Sequence, residues 1–108
     1  MKRLLFICGK CRQRSPTAEH VFSSYKNIET DAAGLSSDAD IYLGSDQLDW
    51  ATHIIVMEKA QARKIRKNFK KHINDKKVIC LDIPDNFEYM QFELIELLKK
   101  KIKRVLWT

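Results

Sequence analysis

The sequence predicts an α/β protein: a single domain over residues 1–108, with three α/β/α layers built on a four-stranded parallel sheet. Two observations carry this. Short β-branched and aromatic runs alternate with segments whose apolar residues recur every three or four positions, so strands and helices follow each other in turn. Four strands and four helices also fill 108 residues with little to spare, and no repeat, low-complexity tract or second domain is visible. Alternation of this kind implies right-handed crossovers, a parallel sheet and helices on both of its faces.

The first strand is Arg3 to Ile7, a β-branched and aromatic run that Cys8-Gly9-Lys10-Cys11-Arg12-Gln13 breaks. From Pro16 onward Ala18, Val21, Phe22 and Tyr25 take helical spacing. Ser15 stands where an N-cap before a first-turn proline would. Asn27 to Ala33 is a weaker strand, closed by Ala32-Ala33-Gly34, and Ser36 to Ser45 reads as a loop rich in serine and aspartate. A short helix over Asp46–Ala51, capped by Ser45, leads to the clearest buried strand, His53 to Met57. Glu58 to Phe69 follows as one strongly basic helix, then a strand from Lys77 to Leu81 and a loop from Asp82 to Phe87 that holds Pro84. The last helix is expected over Met90–Val105, with Phe92, Ile95, Leu98, Ile102 and Val105 on its inner side.

Composition narrows the function classes. No apolar run approaches the roughly 20 residues that span a bilayer. The opening Met1-Lys2-Arg3 and its apolar stretch imitate a signal peptide, but the stretch is short and runs straight into Lys10, Arg12 and Arg14. Three cysteines, unevenly placed, do not make a disulfide framework, so a reducing cytoplasm is the expected setting. A net charge of +6 favours acidic partners without choosing one. The basic helix and Lys99-Lys100-Lys101 read as solvated faces, because neither is interleaved with the aromatics of a base-stacking surface.

In a parallel sheet, ligands bind outside the carboxyl ends of the strands. Three loops leave those ends, starting at Cys8, Met57 and Asp82. In the first, Cys8 ends a strand, Arg14 lies six residues on, and Ser15 stands at the mouth of a helix. Such a loop can wrap a tetrahedral anion with inward backbone N–H groups and the positive end of a helix. Arg14 adds a two-pronged grip on two phosphate oxygens. The same field favours a thiolate nucleophile at Cys8, and Ser15 is placed to hydrogen-bond its sulfur. A lone cysteine is more often a small buried hydrophobe; the Cys, five residues, Arg, Ser spacing between strand and helix is what lifts this one above that reading.

Cys8-Gly9-Lys10-Cys11-Arg12-Gln13-Arg14-Ser15 resembles the signature of the low-molecular-weight protein tyrosine phosphatases. Pro16-Thr17-Ala18-Glu19 is similar to the family's helix start, and Ala32-Ala33-Gly34 to the Ser-Ala-Gly turn that ends its second strand. Trp50 to Glu58 resembles its third strand, and Asp82-Ile83-Pro84-Asp85 the segment that carries its general acid. The resemblance implies a sheet of order 2-1-3-4 and metal-free, cofactor-free hydrolysis of a phosphate monoester through a phosphocysteine. The substrate it implies is a phosphorylated protein or small phosphomonoester, with inorganic phosphate or a similar oxyanion in the loop. Cys8, Arg14 and Asp85 are then catalytic, and Gly9, Lys10, Cys11, Arg12, Gln13, Arg14 and Ser15 bind the phosphoryl group. Without the resemblance Asp82 and Asp85 stand level as the acid, since either fits a turn beside Pro84; with it, Asp85 leads.

The chain departs from the family in three places. It is shorter, mostly between Gly34 and Asp46, where members carry an excursion that walls the cleft; this predicts an open, shallow pocket. Cys11 replaces the loop's usual Asn and Ala32 the usual Ser, two polar side chains that brace the loop, so another brace or a weaker catalyst is expected. Asn86 follows Asp85 in place of Pro, while Phe87 and Tyr89 remain candidates for the pocket wall. Cys8-Gly9-Lys10-Cys11 is also a C-x-x-C, which leaves open a thiol–disulfide protein or a protective Cys8–Cys11 disulfide. A zinc site would need two more ligands from Cys80, His20, His53 and His72, which are scattered. A phosphate- or nucleic-acid-binding module without turnover is the non-enzymatic alternative.

Overall fold

Seven residues at the start of the chain form β1 (Lys2–Cys8), a central strand whose last five residues are buried. A computed structural model describes residues 1–106. After the loop beyond Cys8 come α1 (Arg14–Phe22), β2 (Ile28–Gly34), α2 (Ser45–Trp50) and β3 (His53–Val56). Then come α3 (Lys59–Asn68), α4 (Lys70–Ile73), β4 (Lys77–Cys80) and α5 (Phe92–Leu106). The strands are parallel in the order β2-β1-β3-β4, as the resemblance implies. In register, Cys8 lies beside Gly34, and Val56 beside Cys80, so four strands end along one edge.

Side chains on a strand alternate between faces, and β1 uses both. Leu4, Phe6 and Cys8 join a core with Ala18 and Phe22 of α1 and Leu94, Leu98, Ile102 and Val105 of α5. Leu5 and Ile7 join the opposite core with Leu48 of α2, Ala62 and Ile65 of α3, and Ile73 of α4. The expected three layers are therefore α1 and α5 on one face, α2, α3 and α4 on the other. Among the described residues no helix is long and apolar enough to cross a membrane.

The structure corrects the sequence reading in four details. Ser15 does not cap α1: the helix begins at Arg14, Gln13 holds the cap position, and the Ser15 hydroxyl is taken by Cys8. Gly44, not Ser45, precedes α2, and the Gln47 side chain reaches back to accept its N–H at 3.0 Å. The single basic helix expected to Phe69 is two, because Phe69 leaves helical geometry at φ −130° and α4 restarts after it, which makes five helices among the described residues. On α5 the inner stripe is Leu94, Leu98, Ile102 and Val105, while Phe92 is 68% exposed and Ile95 half-buried. Leu94, Leu98 and Ile102 keep a strict four-residue spacing on one helical stripe, and Phe92 lies off it.

This register has a measurable consequence. Leu98→Ala should destabilise the protein by about 2–5 kcal/mol, as a large-to-small change in a filled core does. Phe92→Ala should cost no more than about 0.5 kcal/mol, as a surface change does. Urea unfolding of the two variants checks this, and a larger loss at Phe92 would place the stripe where the sequence reading put it.

Candidate active site

Cys8 is the last residue of β1, and the chain turns at once over the strand ends before entering α1 at Arg14. Its sulfur lies 2.9 Å from the Ser15 hydroxyl and accepts the Cys11 backbone N–H at 3.2 Å. The neighbouring strand end shapes this turn. The Gly9 carbonyl accepts the Ser36 N–H at 2.8 Å and the Lys10 carbonyl accepts the Asp40 N–H at 3.0 Å. Because C=O and N–H of a trans peptide point in opposite directions, the Lys10 and Cys11 amides are left on the concave side. The Cys11 amide confirms it by meeting Cys8. The result is a small nest of donors around one sulfur, with the start of a nine-residue helix behind it.

Segment 35–44 supplies the brace that the loop's own side chains do not. Arg12 Nε donates to Asp40 Oδ1 at 3.0 Å, and Lys10 pairs with Asp38 at 3.4 Å. A hydrogen bond from Ser36, with Lys10 alongside, holds the Asp38 carboxyl below the usual carboxylate range. These exposed pairs are each worth about 0–1 kcal/mol, but backbone bonds back them. Gly34 completes the fit: a Cβ there would lie 2.5 Å from the Gly9 carbonyl oxygen and 3.0 Å from the Cys11 nitrogen. Cys11 itself sits at φ 57°, a left-handed conformation that disfavours a residue other than Gly, Asn or Asp by about 1–2 kcal/mol.

Arg14 is 3% exposed, so its charge must be answered inside the protein. Nη1 donates to the Ile83 carbonyl at 2.8 Å and pairs with Glu58 Oε2 at 2.7 Å. Both contacts fall on Nη1, which leaves the Nε–Nη2 edge as the fork able to face an anion. Asp85 stands at the Nε end of that fork, 3.7 Å away, on a side chain that is two-thirds exposed. The loops starting at Cys8, Met57 and Asp82 thus converge on one guanidinium.

Asp82 is elsewhere. It adopts φ 54°, its carboxyl accepts a hydrogen bond from the Cys80 thiol at 3.4 Å, and its carbonyl accepts Lys101 Nζ at 3.0 Å. Phe87 packs against the α5 core, and Tyr89 lines a hollow with Pro16, Glu19 and His20. The sequence reading missed Glu58 and the pair Asp38 and Asp40. An acid directly after the end of a parallel strand, facing a basic loop, was the available signal for Glu58. Among the described residues no three of His, Cys, Asp and Glu gather as a metal site would require.

No protein-family model matches the chain, and no curated protein matches it by sequence. Solved structures do match. The YwlE arginine phosphatase from Geobacillus stearothermophilus superposes with a TM-score of 0.78 at 21% identity, over 99% of this chain and 94% of that one. SP-PTP, a low molecular weight protein tyrosine phosphatase from Streptococcus pyogenes, gives 0.79 at 18% identity, over 99% and 92%. Wzb from Vibrio vulnificus, in complex with benzylphosphonate, gives 0.77 at 18%, over 96% of each. The chain has the low-molecular-weight phosphatase fold. At these identities the likeness is one of architecture, and it runs the length of the chain rather than through one motif.

Within this phosphatase fold the second loop cysteine is chemically quiet. Burial pushes the Cys11 thiol up to about 11, against a smaller opposing pull from Ser15. It therefore stays a thiol at neutral pH and a poor nucleophile. Iodoacetamide at neutral pH should leave Cys11 unmodified in the folded protein and modify it once urea is added, read by peptide mass spectrometry. Equal rates in the two states would contradict the burial.

Proposed function

We propose that this chain is a cysteine-dependent phosphate-monoester hydrolase, acting on phosphorylated protein side chains, with phosphotyrosine the first substrate to test. The observation that carries the reading is the pairing of Cys8 and Arg14 in one loop: a sulfur met by the Cys11 amide and the Ser15 hydroxyl, and six residues on a buried guanidinium whose Nε–Nη2 edge faces only Asp85 among the described residues. The fold shared with YwlE, SP-PTP and Wzb supports it.

The proposed reaction has two steps. A phosphoryl group enters the loop, where the amides and the Nε–Nη2 edge of Arg14 take its non-bridging oxygens. Asp85 gives up its contact with Nε and turns its carboxyl toward the leaving oxygen. Cys8 attacks phosphorus as its thiolate; the S–P bond forms as the P–O bond to the leaving group breaks, and Asp85, having taken a proton from water on leaving Nε, passes it to that oxygen. Water then attacks the phosphocysteine and gives a proton to Asp85. The S–P bond breaks, with the Ser15 hydroxyl stabilising the departing sulfur, and phosphate leaves. The donors act on charge that grows in the transition state, where preorganised groups count most. Glu58 is a positioning residue, which fixes the plane of Arg14 from the side away from substrate.

A thiol–disulfide activity through Cys8 and Cys11 is the weaker reading. It needs Cys11 as an attacking thiolate, and burial holds it protonated.

Hydrolysis of aryl phosphates under reducing conditions with a chelator present tests the proposal. Cys8→Ser should abolish turnover while inorganic phosphate still binds. Asp85→Asn should lower kcat by about a hundredfold for poor leaving groups and less for good ones. Glu58→Ala should lower kcat/KM about tenfold or more and weaken phosphate inhibition in parallel, as a misplaced Arg14 would. Undiminished turnover in Cys8→Ser would refute the mechanism.

A further inference from the structure

The positive charge of this protein is not spread over it. Residues 59–71 hold seven Lys and Arg and no Asp or Glu. The whole chain has 20 against 14, so the remainder holds 13 against 14 and is one charge negative. The entire excess lies on α3 and the start of α4. All seven side chains, from Lys59 to Lys71, are exposed. None of them is among the cations paired with a carboxylate among the described residues, which are Arg3, Lys10, Arg12, Arg14 and His72.

The arrangement is directional. The buried residues of α3 are Gln61, Ala62 and Ile65. At 100° per residue, Lys59, Arg63 and Arg66 fall on one outer stripe, with Lys64 and Lys67 on the arc beside it. Beyond α3, Arg66 and Lys70 flank a hollow of about 440 Å³ that Ile73, Asn74 and Val78 also line. The stripe begins one residue after Glu58, the partner of Arg14, and α3's ten residues carry it about 15 Å from the site. An extended chain covers that distance in about five residues.

We propose that this outer face of α3 and α4 is a docking surface for an acidic segment of a protein, lying beside the phosphorylated residue that enters the loop. The docking extends the phosphatase reading to a substrate class and rests on it for the word substrate; the surface itself does not. Charge complementarity selects the partner: seven exposed cations with no acid among them attract an acidic segment, repel a basic one and give a neutral one no electrostatic gain. An acidic protein fits better than nucleic acid, because the stripe offers no aromatic side chain on which a base could stack. Phe69, the one aromatic residue in the segment, packs against the core.

The test separates docking from catalysis. A fluorescent peptide rich in Glu, and its Gln counterpart, are titrated with the wild type and with Arg63→Gln/Arg66→Gln/Lys67→Gln. A control, Lys99→Gln/Lys100→Gln/Lys103→Gln, removes the same charge from exposed positions on α5, across the sheet. The same peptides carrying phosphotyrosine give kcat/KM. The α3 variant should lose about tenfold or more in binding and in kcat/KM for the acidic peptide. Its kcat/KM for a small aryl phosphate should stay within about twofold, the control should match wild type, and added salt should erase the preference. Equal losses in the control, equal binding of Glu and Gln peptides, or tighter binding of an oligonucleotide of the same charge would each overturn the proposal. Absence of turnover on every phosphorylated substrate would remove the phosphatase reading alone, since the binding titrations decide the docking face without it.

Discussion

The buried guanidinium of Arg14 is the constraint around which the carboxyl edge of the sheet is arranged. A charge that is 3% exposed is tolerable only if it is hydrogen-bonded and paired. Its partners come from two other strand ends: Glu58 after β3, and Ile83 and Asp85 after β4. That explains why the order of strands matters to the site. With β3 next to β1 and β4 next to β3, the loops after them can reach α1 from one side. Asp82 turns the chain at φ 54°, its carbonyl tied to Lys101 of α5, and Ile83 comes next with its carbonyl on Arg14. A core helix therefore holds one wall of the site in place.

From the other side the loop is held by β2 and segment 35–44 beyond it. The close approach of Gly34 to Gly9 and Cys11 leaves no room for a side chain, so the loop rests directly on the next strand's backbone. Segment 35–44 then takes up the outward carbonyls of Gly9 and Lys10. This brace makes the unusual Cys11 and Ala32 intelligible. A left-handed Cys11 is strained, and neither residue offers the polar contacts found in the family it resembles. Backbone bonds from Ser36 and Asp40, with two surface ion pairs, hold the loop instead.

Much of this was legible in the sequence, and the reason is local. Strand, tight loop and helix are written in consecutive residues, so Cys8, Arg14 and Ser15 could be placed before any fold was known. The rest depends on contacts between distant segments. Ser15 looked like a cap because its position beside Pro16 fits one; its hydroxyl instead meets a sulfur seven residues back. Phe92 looked like core because it is large and apolar, yet the stripe through Leu94, Leu98 and Ile102 is set by what α5 meets on the sheet. Asp82 and Asp85 are alike in one dimension and separated in three, one on Cys80 and Lys101, the other beside Arg14. Glu58 gave only a positional signal, because its role exists only once β1 and β3 are neighbours.

The distribution of acids sharpens the division between site and surface. Lys10, Arg12 and Arg14 all lie in or beside the loop, and each is paired: with Asp38, Asp40, and the pair Glu58 and Asp85. Those carboxylates fix the cations in place and cancel most of their long-range field. Under the proposed function, a loop built this way meets a phosphoryl group by geometry at contact distance, through amides and one edge of one guanidinium, and does little to draw it from solution. The cations of α3 are the opposite case. They are exposed, fix no atom of the site, and together with Lys70 and Lys71 of α4 account for the chain's whole positive excess. Glu58 stands between the two, turning one carboxylate inward to Arg14 while the residue after it starts the basic stripe. In the two proposals taken together, recognition of the phosphate and attraction of the molecule that carries it fall to different residues, which lets either change without the other.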